Sequence, residues 1–179
     1  MIRRMAIAAM LVTSVTACAT RAPSIAPVAS VDLPRFMGDW YVIAHIPSWP
    51  ERHAYDAVES YRLDADGRVR TTFRYRKGGF DAPMKALHPM GTVIPGTHNA
   101  VWDMQVFWPI KAEFVIVDLD PDYQVTIIGR SKRDYVWLMA RQPQLSRDAL
   151  ASAIETIQRL GYDTAKLRMV PQSVREPLD

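Results

Sequence analysis

From Phe36 onward, apolar and polar residues alternate in short runs bounded by Gly, Pro, Asp or Asn, a period-two spacing that predicts strands. Eight such strands are expected, over 39–46, 57–63, 68–75, 84–94, 99–108, 113–118, 123–129 and 135–140. The links between them carry compact turn chemistry: Asp64-Ala65-Asp66-Gly67, Asp118-Leu119-Asp120-Pro121-Asp122 and Ser131-Lys132-Arg133-Asp134. Consecutive strands should therefore pair antiparallel, as in an all-β sandwich or barrel. Pro83, Pro89, Pro95 and Pro109 fall at strand ends and blur the edges of the fourth and fifth strands.

One segment changes period. Leu150, Ile154, Ile157 and Leu160 recur at helical spacing, Ser146 is placed to cap the start and Gly161 to end it, which predicts one amphipathic helix packed on the side of the sheet. The apolar piece 167–170 should pair on a sheet edge before Pro171, with a loose tail at 172–179.

The alternation also sorts the two faces. On 68–75, Arg70, Thr72 and Arg74, with Arg76 just beyond, should meet solvent, leaving Val69, Thr71, Phe73 and Tyr75 inside. By the same parity Ala57, Glu59 and Tyr61 point inward, as do Trp102, Met104 and Val106. An eight-stranded barrel leaves room for one small ligand. Tyr61, Phe73, Tyr75, Trp102, Met104 and Val106 are accordingly candidate ligand contacts, and their aromatic and thioether character suits an apolar guest.

The N-terminus reads differently. Arg3 and Arg4 precede an apolar stretch, 5–15, of 11 residues, too short for the ~20 that span a bilayer, and then comes Val15-Thr16-Ala17-Cys18. That run resembles the lipobox of bacterial lipoproteins, which implies a signal peptide over 1–17 and a lipidated Cys18. Residues 18–32, with Pro23 and Pro27, then form the lipid anchor and linker, and 33–171 the domain. Cys18 is the chain's single cysteine, so no internal disulfide is available and the fold must hold by packing. Removing 1–17 takes away two arginines and no acid, leaving 20 basic side chains against 19 acidic, a balance that argues against a nucleic-acid partner.

Gly38-Asp39-Trp40-Tyr41, after Leu33-Pro34-Arg35-Phe36, is similar to the Gly-x-Trp-Tyr motif on the first lipocalin strand. Asp118 to Tyr123 resembles the second lipocalin motif, between the sixth and seventh strands, and Tyr135 to Pro143 the third. All three stand in order, and the likeness extends over 33–171, being greatest to bacterial outer-membrane lipocalins, which are lipoproteins. It implies an eight-stranded antiparallel up-and-down lipocalin barrel with a C-terminal α-helix on its side, closed at one end, holding fatty acids such as palmitate or lysophospholipids. In that frame Trp40 plugs the closed end and Arg141 stacks on it, while Gly38, Tyr41, Asp120 and Tyr123 are structural rather than chemical. Trp49 lies in the long connection that overhangs the open end, where it could touch ligand. Ala19 after the cysteine is similar to an outer-membrane address, and the periplasmic face is the simplest placement.

Little in the chain suggests catalysis. His45, His53, His88 and His98 are scattered, and there is no HExxH, no paired cysteine and no Gly-x-Ser-x-Gly, so neither an enzyme nor a metal or cofactor site is expected. A haem reading would need His88 or His98 in the pocket. The expected function is therefore a membrane-anchored carrier that binds, stores or transfers a small hydrophobic ligand in the cell envelope. The alternative is an accessory envelope lipoprotein whose barrel is filled by its own side chains and whose outside binds a partner protein. One conflict stands: Lys85, Tyr75 or Tyr61 could receive an anionic head group, but Glu59, if inside, would repel it and favour an ammonium.

Overall fold

The computed structural model describes residues 24–107 and 109–173. The signal segment, Cys18, Trp108 and the last six residues of the tail lie outside them. Strands β1 (Gly38–Ile46), β2 (Ala54–Leu63), β3 (Arg68–Lys77), β4 (Met84–Leu87), β5 (Met90–Val93), β6 (Val101–Phe107), β7 (Ile110–Leu119), β8 (Val125–Gly129) and β9 (Val136–Ala140) pair antiparallel in sequence order. The sheet closes because β1 also pairs with β9, from Tyr41 opposite Ala140 to Ile46 opposite Val136. The result is an eight-staved up-and-down barrel, as expected.

The stave expected over 84–94 departs furthest from expectation. It is broken at His88-Pro89 into β4, which continues the ladder with the upper half of β3, and β5, which pairs with its lower half and with β6. Pro89 has no N–H to give a ladder, and its carbonyl instead accepts from Thr71 N at 3.1 Å.

Where β3 faces solvent its arginines are paired: Arg68 with Asp66, Arg70 with Asp64, Arg74 with Asp39 and Arg76 with Asp56. This is the polar outer face that alternation predicts. On β7 to β9 the alternation fails for a physical reason: both faces are covered. Helix α2 (Arg147–Arg159), capped by the Ser146 side chain accepting from Ala149 N at 3.2 Å, lays Ala153 and Ile157 against Ile43, Val115, Ile127, Val136 and Leu138 on the outer wall. A second core fills the barrel interior.

The closed end is an aromatic floor. Short helix α1 (Leu33–Phe36), capped by Asp32, brings Phe36 beneath the barrel, where its ring lies 5.1 Å from Trp40 and 5.6 Å from both Tyr61 and Trp102. Trp102 stacks on Phe114 at 4.7 Å. Arg141 fastens this floor from outside. Its guanidinium carbon sits 3.8 Å from the Trp40 ring centroid, and its N–H groups donate to the carbonyls of Asp39, Arg35, Phe36 and Met37 at 2.8–3.1 Å. Gly38 has φ +95° and a Cβ there would stand 3.4 Å from Arg141 Nη1, so glycine suits both the backbone and the space.

Both ends of the described residues are tied to the wall. Ile25 is buried beside Gly129 and Tyr162, and Val28 N and Val31 N donate to Ile116 O and His98 O at 2.9 and 3.0 Å. At the other end β10 (Arg168–Met169) pairs with β1, since β1 and β2 are hydrogen-bonded only from Gly38 to Tyr41 and then diverge. The segment fills that slot. Val170 N donates to Ile43 O, Asp56 N to Pro171 O, and the Gln172 side-chain amide reaches Val42 O at 2.8 Å and Ala57 O at 3.1 Å.

Candidate ligand-binding chamber

Above the aromatic floor lies a chamber of about 90 Å³ lined by Glu51, Glu59, Phe73, Leu87, Pro89, Met104, Val106, Ala112, Glu113, Phe114 and Trp137. Phe73 and Met104 are thus in its wall. Tyr61 and Trp102 lie one layer lower, as part of the floor, and Tyr75 is buried higher on β3, its ring stacked on Phe73 at 5.0 Å. Val106 is at the lip rather than in the interior, 42% exposed, with Leu87 beside it in the lining. Trp49 does not line the chamber; it is 72% exposed and the Lys77 ammonium hangs 5.5 Å over its ring. Lys85 lies opposite Tyr75 in the β3–β4 ladder, hence on the same face, but at a fully exposed stretch of the rim. His88 and His98 are both exposed, outside the chamber lining.

A larger hollow of about 410 Å³ lies on the outer wall, between Tyr41, Val58, Arg74, Met84 and Gln172. It is more polar than apolar, a groove beside the C-terminal segment, whereas the smaller chamber, about equally open to solvent, is mostly apolar with a few converging polar groups. The second character is that of a small-molecule site.

Part of the chamber's chemistry comes from residues that periodicity could not place. Glu51 sits in the 3₁₀ turn Trp49–Glu51, which dips into the mouth. It accepts from Ser48 Oγ at 2.6 Å and from Trp137 Nε1 at 2.8 Å, and its Oε2 is 3.7 Å from His45 Nδ1. Burial pushes its carboxyl up, but His45, Ser48 and Trp137 together outweigh that and hold it below the usual range. His45 is itself buried, turned inward by a bulge between Val42 and Ala44 that shifts the strand's parity; beyond this 3.7 Å approach neither ring nitrogen has a hydrogen-bond partner among the described residues.

Glu59 faces inward on β2, as parity predicts, and its accessible surface opens onto the chamber. Tyr61 Oη donates to its Oε2. Burial drives the Glu59 carboxyl up to about 7, with Glu51 adding repulsion, against the lowering effect of the Tyr61 hydrogen bond. The Tyr61 hydroxyl is pushed up in turn, by burial and by Glu59. Thr71 Oγ1, buried on the inner face of β3, also has no hydrogen-bond partner among the described residues.

The remaining motif residues serve the closed end. Asp120 Oδ1 accepts from Gln124 N and Val125 N and closes the β7–β8 turn; Tyr123 Oη accepts from Asp32 N at 2.9 Å, and Arg35 stacks over its ring at 4.1 Å. Tyr41 is half-buried on the outer wall.

A Lipocalin-like domain family model matches residues 31–172. The chain belongs to the lipocalin family. This lipocalin is 27% identical over 167 residues to temperature-induced lipocalin-1 of Arabidopsis thaliana, covering 84% of each chain. It is 26% identical over 159 residues to the outer membrane lipoprotein Blc of Vibrio cholerae, covering 87% of this chain and 91% of the relative, and 24% identical over 163 residues to Blc of Escherichia coli K12, covering 88% and 90%. Among solved structures, insecticyanin from the tobacco hornworm Manduca sexta superimposes with a TM-score of 0.67 at 16% identity, covering 86% of this chain and 87% of that one. A second similar fold is apocrustacyanin C2, with a TM-score of 0.64 at 11% identity and coverage of 80% and 81%. Lipocalins bind small hydrophobic ligands, and their barrels are typically carriers rather than enzymes.

Proposed function

We propose that this lipocalin is a non-enzymatic carrier of a single-chain lipid, a fatty acid or lysophospholipid or an amphiphile of similar shape, and that it works in the cell envelope on an anchor attached at Cys18. The observation that carries the reading is the mostly apolar, aromatic-lined chamber opening at a lip of Leu87 and Val106. Its likeness to Blc lipoproteins supports the outer membrane as the location, and the lipobox-like run before Cys18 supports the anchor.

At about 90 Å³ the chamber is smaller than the ~300 Å³ at which drug-sized pockets begin. A whole acyl chain needs the Trp49–Glu51 turn to swing out of the mouth, breaking the Glu51 contacts with Ser48 and Trp137. The same volume is the observation in favour of a second reading, an accessory envelope lipoprotein with a filled barrel that binds a partner protein through its outer surface.

Native mass spectrometry of the protein purified from a bacterial host, followed by lipid extraction and displacement of a fluorescent fatty acid, separates the two. A co-purifying lipid or saturable displacement at micromolar concentration is expected. Absence of both overturns the carrier reading and leaves the filled barrel.

A further inference from the structure

Among the chamber's lining residues there are three glutamates and no lysine or arginine. Glu113 is engaged by Ser131 N and Oγ at 2.7 and 2.8 Å, and Glu51 by Ser48, Trp137 and the nearby His45. Among the described residues, Glu59 is bound only by the neutral Tyr61 hydroxyl. A carboxylate in such a place is costly unless a cation meets it. Around it stand the rings of Phe73, Phe114 and Trp137. Aromatic faces beside a carboxylate are the surroundings that stabilise an ammonium ion, by attraction to the ring quadrupole and to the charge at once. Thr71 Oγ1 and both ring nitrogens of His45, buried on the same inner face without hydrogen-bond partners among the described residues, suit a polar guest better than a purely apolar one.

We infer that the chamber takes the cationic head group of a single-chain amphiphile, a quaternary or primary ammonium, head down against Glu59 with the alkyl chain running out past Leu87, Pro89 and Val106. This rests on the carrier reading and names its ligand class. A volume of about 90 Å³ holds a head group rather than a long tail, and the apolar surface lies at the lip where the tail would leave. An anionic head group at the same depth would face Glu51 and Glu59 together. The lysines that share the inward parity at the rim, Lys77 and Lys85, stand at exposed positions outside the chamber lining.

The groups facing Glu59 are Tyr61 on its own strand, Glu51 from the mouth turn with His45 behind it on β1, and the uncharged Thr71 and Phe73 on β3. The Glu59 carboxyl, held near 7 by burial, must be ionised to pair with a cation. Binding should therefore weaken in acid, by about thirty-fold between pH 8 and pH 5.5 for a single coupled proton.

The test is isothermal titration of the purified full-length protein, free of detergent, with three probes of equal chain length below their micelle concentrations: tetradecyltrimethylammonium, tetradecanol and tetradecanoate. At pH 8 the cation should bind at least ~10-fold more tightly than either of the others, the scale of one desolvated cation–π and charge contact. In Glu59→Gln, checked for folding by circular dichroism, the ratio of cation to alcohol affinity should fall to within about threefold of one, since the charge contact is gone. If the variant does not fold, the pH series on the unchanged protein decides in its place. Tetradecanoate binding as tightly as the cation, a cation preference that survives Glu59→Gln, or a preference flat from pH 8 to 5.5 would each overturn the inference while leaving the carrier reading intact. Binding of none of the three overturns both.

Discussion

Replacing Arg141 by methionine keeps the side chain's apolar stem but removes the charge over Trp40 and every N–H that reaches the floor carbonyls of Arg35, Phe36, Met37 and Asp39. The cation–π contact alone is worth about 1 kcal/mol. Hydrogen bonds to a charged donor contribute about 1.5–3 kcal/mol each when buried, but three of these carbonyls share one nitrogen and several face water, so one to two bonds' worth is the sensible count. The loss should be about 4 kcal/mol, or roughly 12 °C in Tm for a chain of this size. Arg141→Lys keeps a point charge but not the planar fork, and should lose about half as much. Urea unfolding followed by far-ultraviolet circular dichroism measures both. A methionine variant within ~1 kcal/mol of wild type, or a lysine variant as stable as wild type, would refute the view that the fork of Arg141 holds the barrel floor together.

Glu59→Gln should stabilise the ligand-free protein in mild alkali. A carboxyl whose folded value is raised from 4.5 to about 7 contributes stability present below 4.5 and lost as pH rises through 7, so the variant should gain about 2 kcal/mol at pH 8, after the Tyr61 bond is discounted, and nothing near pH 4; parallel melts across that range check it. Glu51→Ala removes the contacts that hold the Trp49–Glu51 turn in the mouth, and the affinity for tetradecanol should rise about threefold to tenfold as the open mouth becomes more populated, measured by titration against wild type. Gln172→Ala leaves Val42 O and Ala57 O without their shared donor and should cost about 1–2 kcal/mol, with faster amide exchange in the second half of β1 than in β7.

How much of this could be read from the chain depends on how many faces each strand shows to solvent. β2 and β3 have one wet face, so parity alone places Glu59, Tyr61, Phe73 and Tyr75 on the inner side. On β8 and β9 the helix covers the outer face and the burial pattern is nearly continuous, so alternation carries no direction there. Two local events escape any periodic reading. The bulge at Val42/Ala44 turns His45 inward, and the mouth turn carries Glu51 into the chamber from a loop that has no period. The signal that could have found Glu51 is weak: an acid next to Trp49 and Pro50 in a connection that must cover an open barrel end. Glu59 was legible in direction but not in consequence, because its protonation is set by the depth of the chamber and by Glu51, which a loop without period brings into the chamber.

The docking of Ile25 fixes where the barrel's leash leaves it. Ile25 lies against Gly129, and its N–H reaches Ser131 Oγ at 3.4 Å, in the loop between β8 and β9 on the side of the open rim, while the floor with Trp40 and Arg141 is at the other end. Only residues 19–24 separate Ile25 from Cys18, a reach of at most about 25 Å fully extended. Anything that holds the chain at Cys18 is thus tied to the mouth and not to the floor. A bilayer gripped there would face the lip of Leu87 and Val106 across a gap shorter than its own thickness, so that a lipid leaving one could enter the other with little open water between.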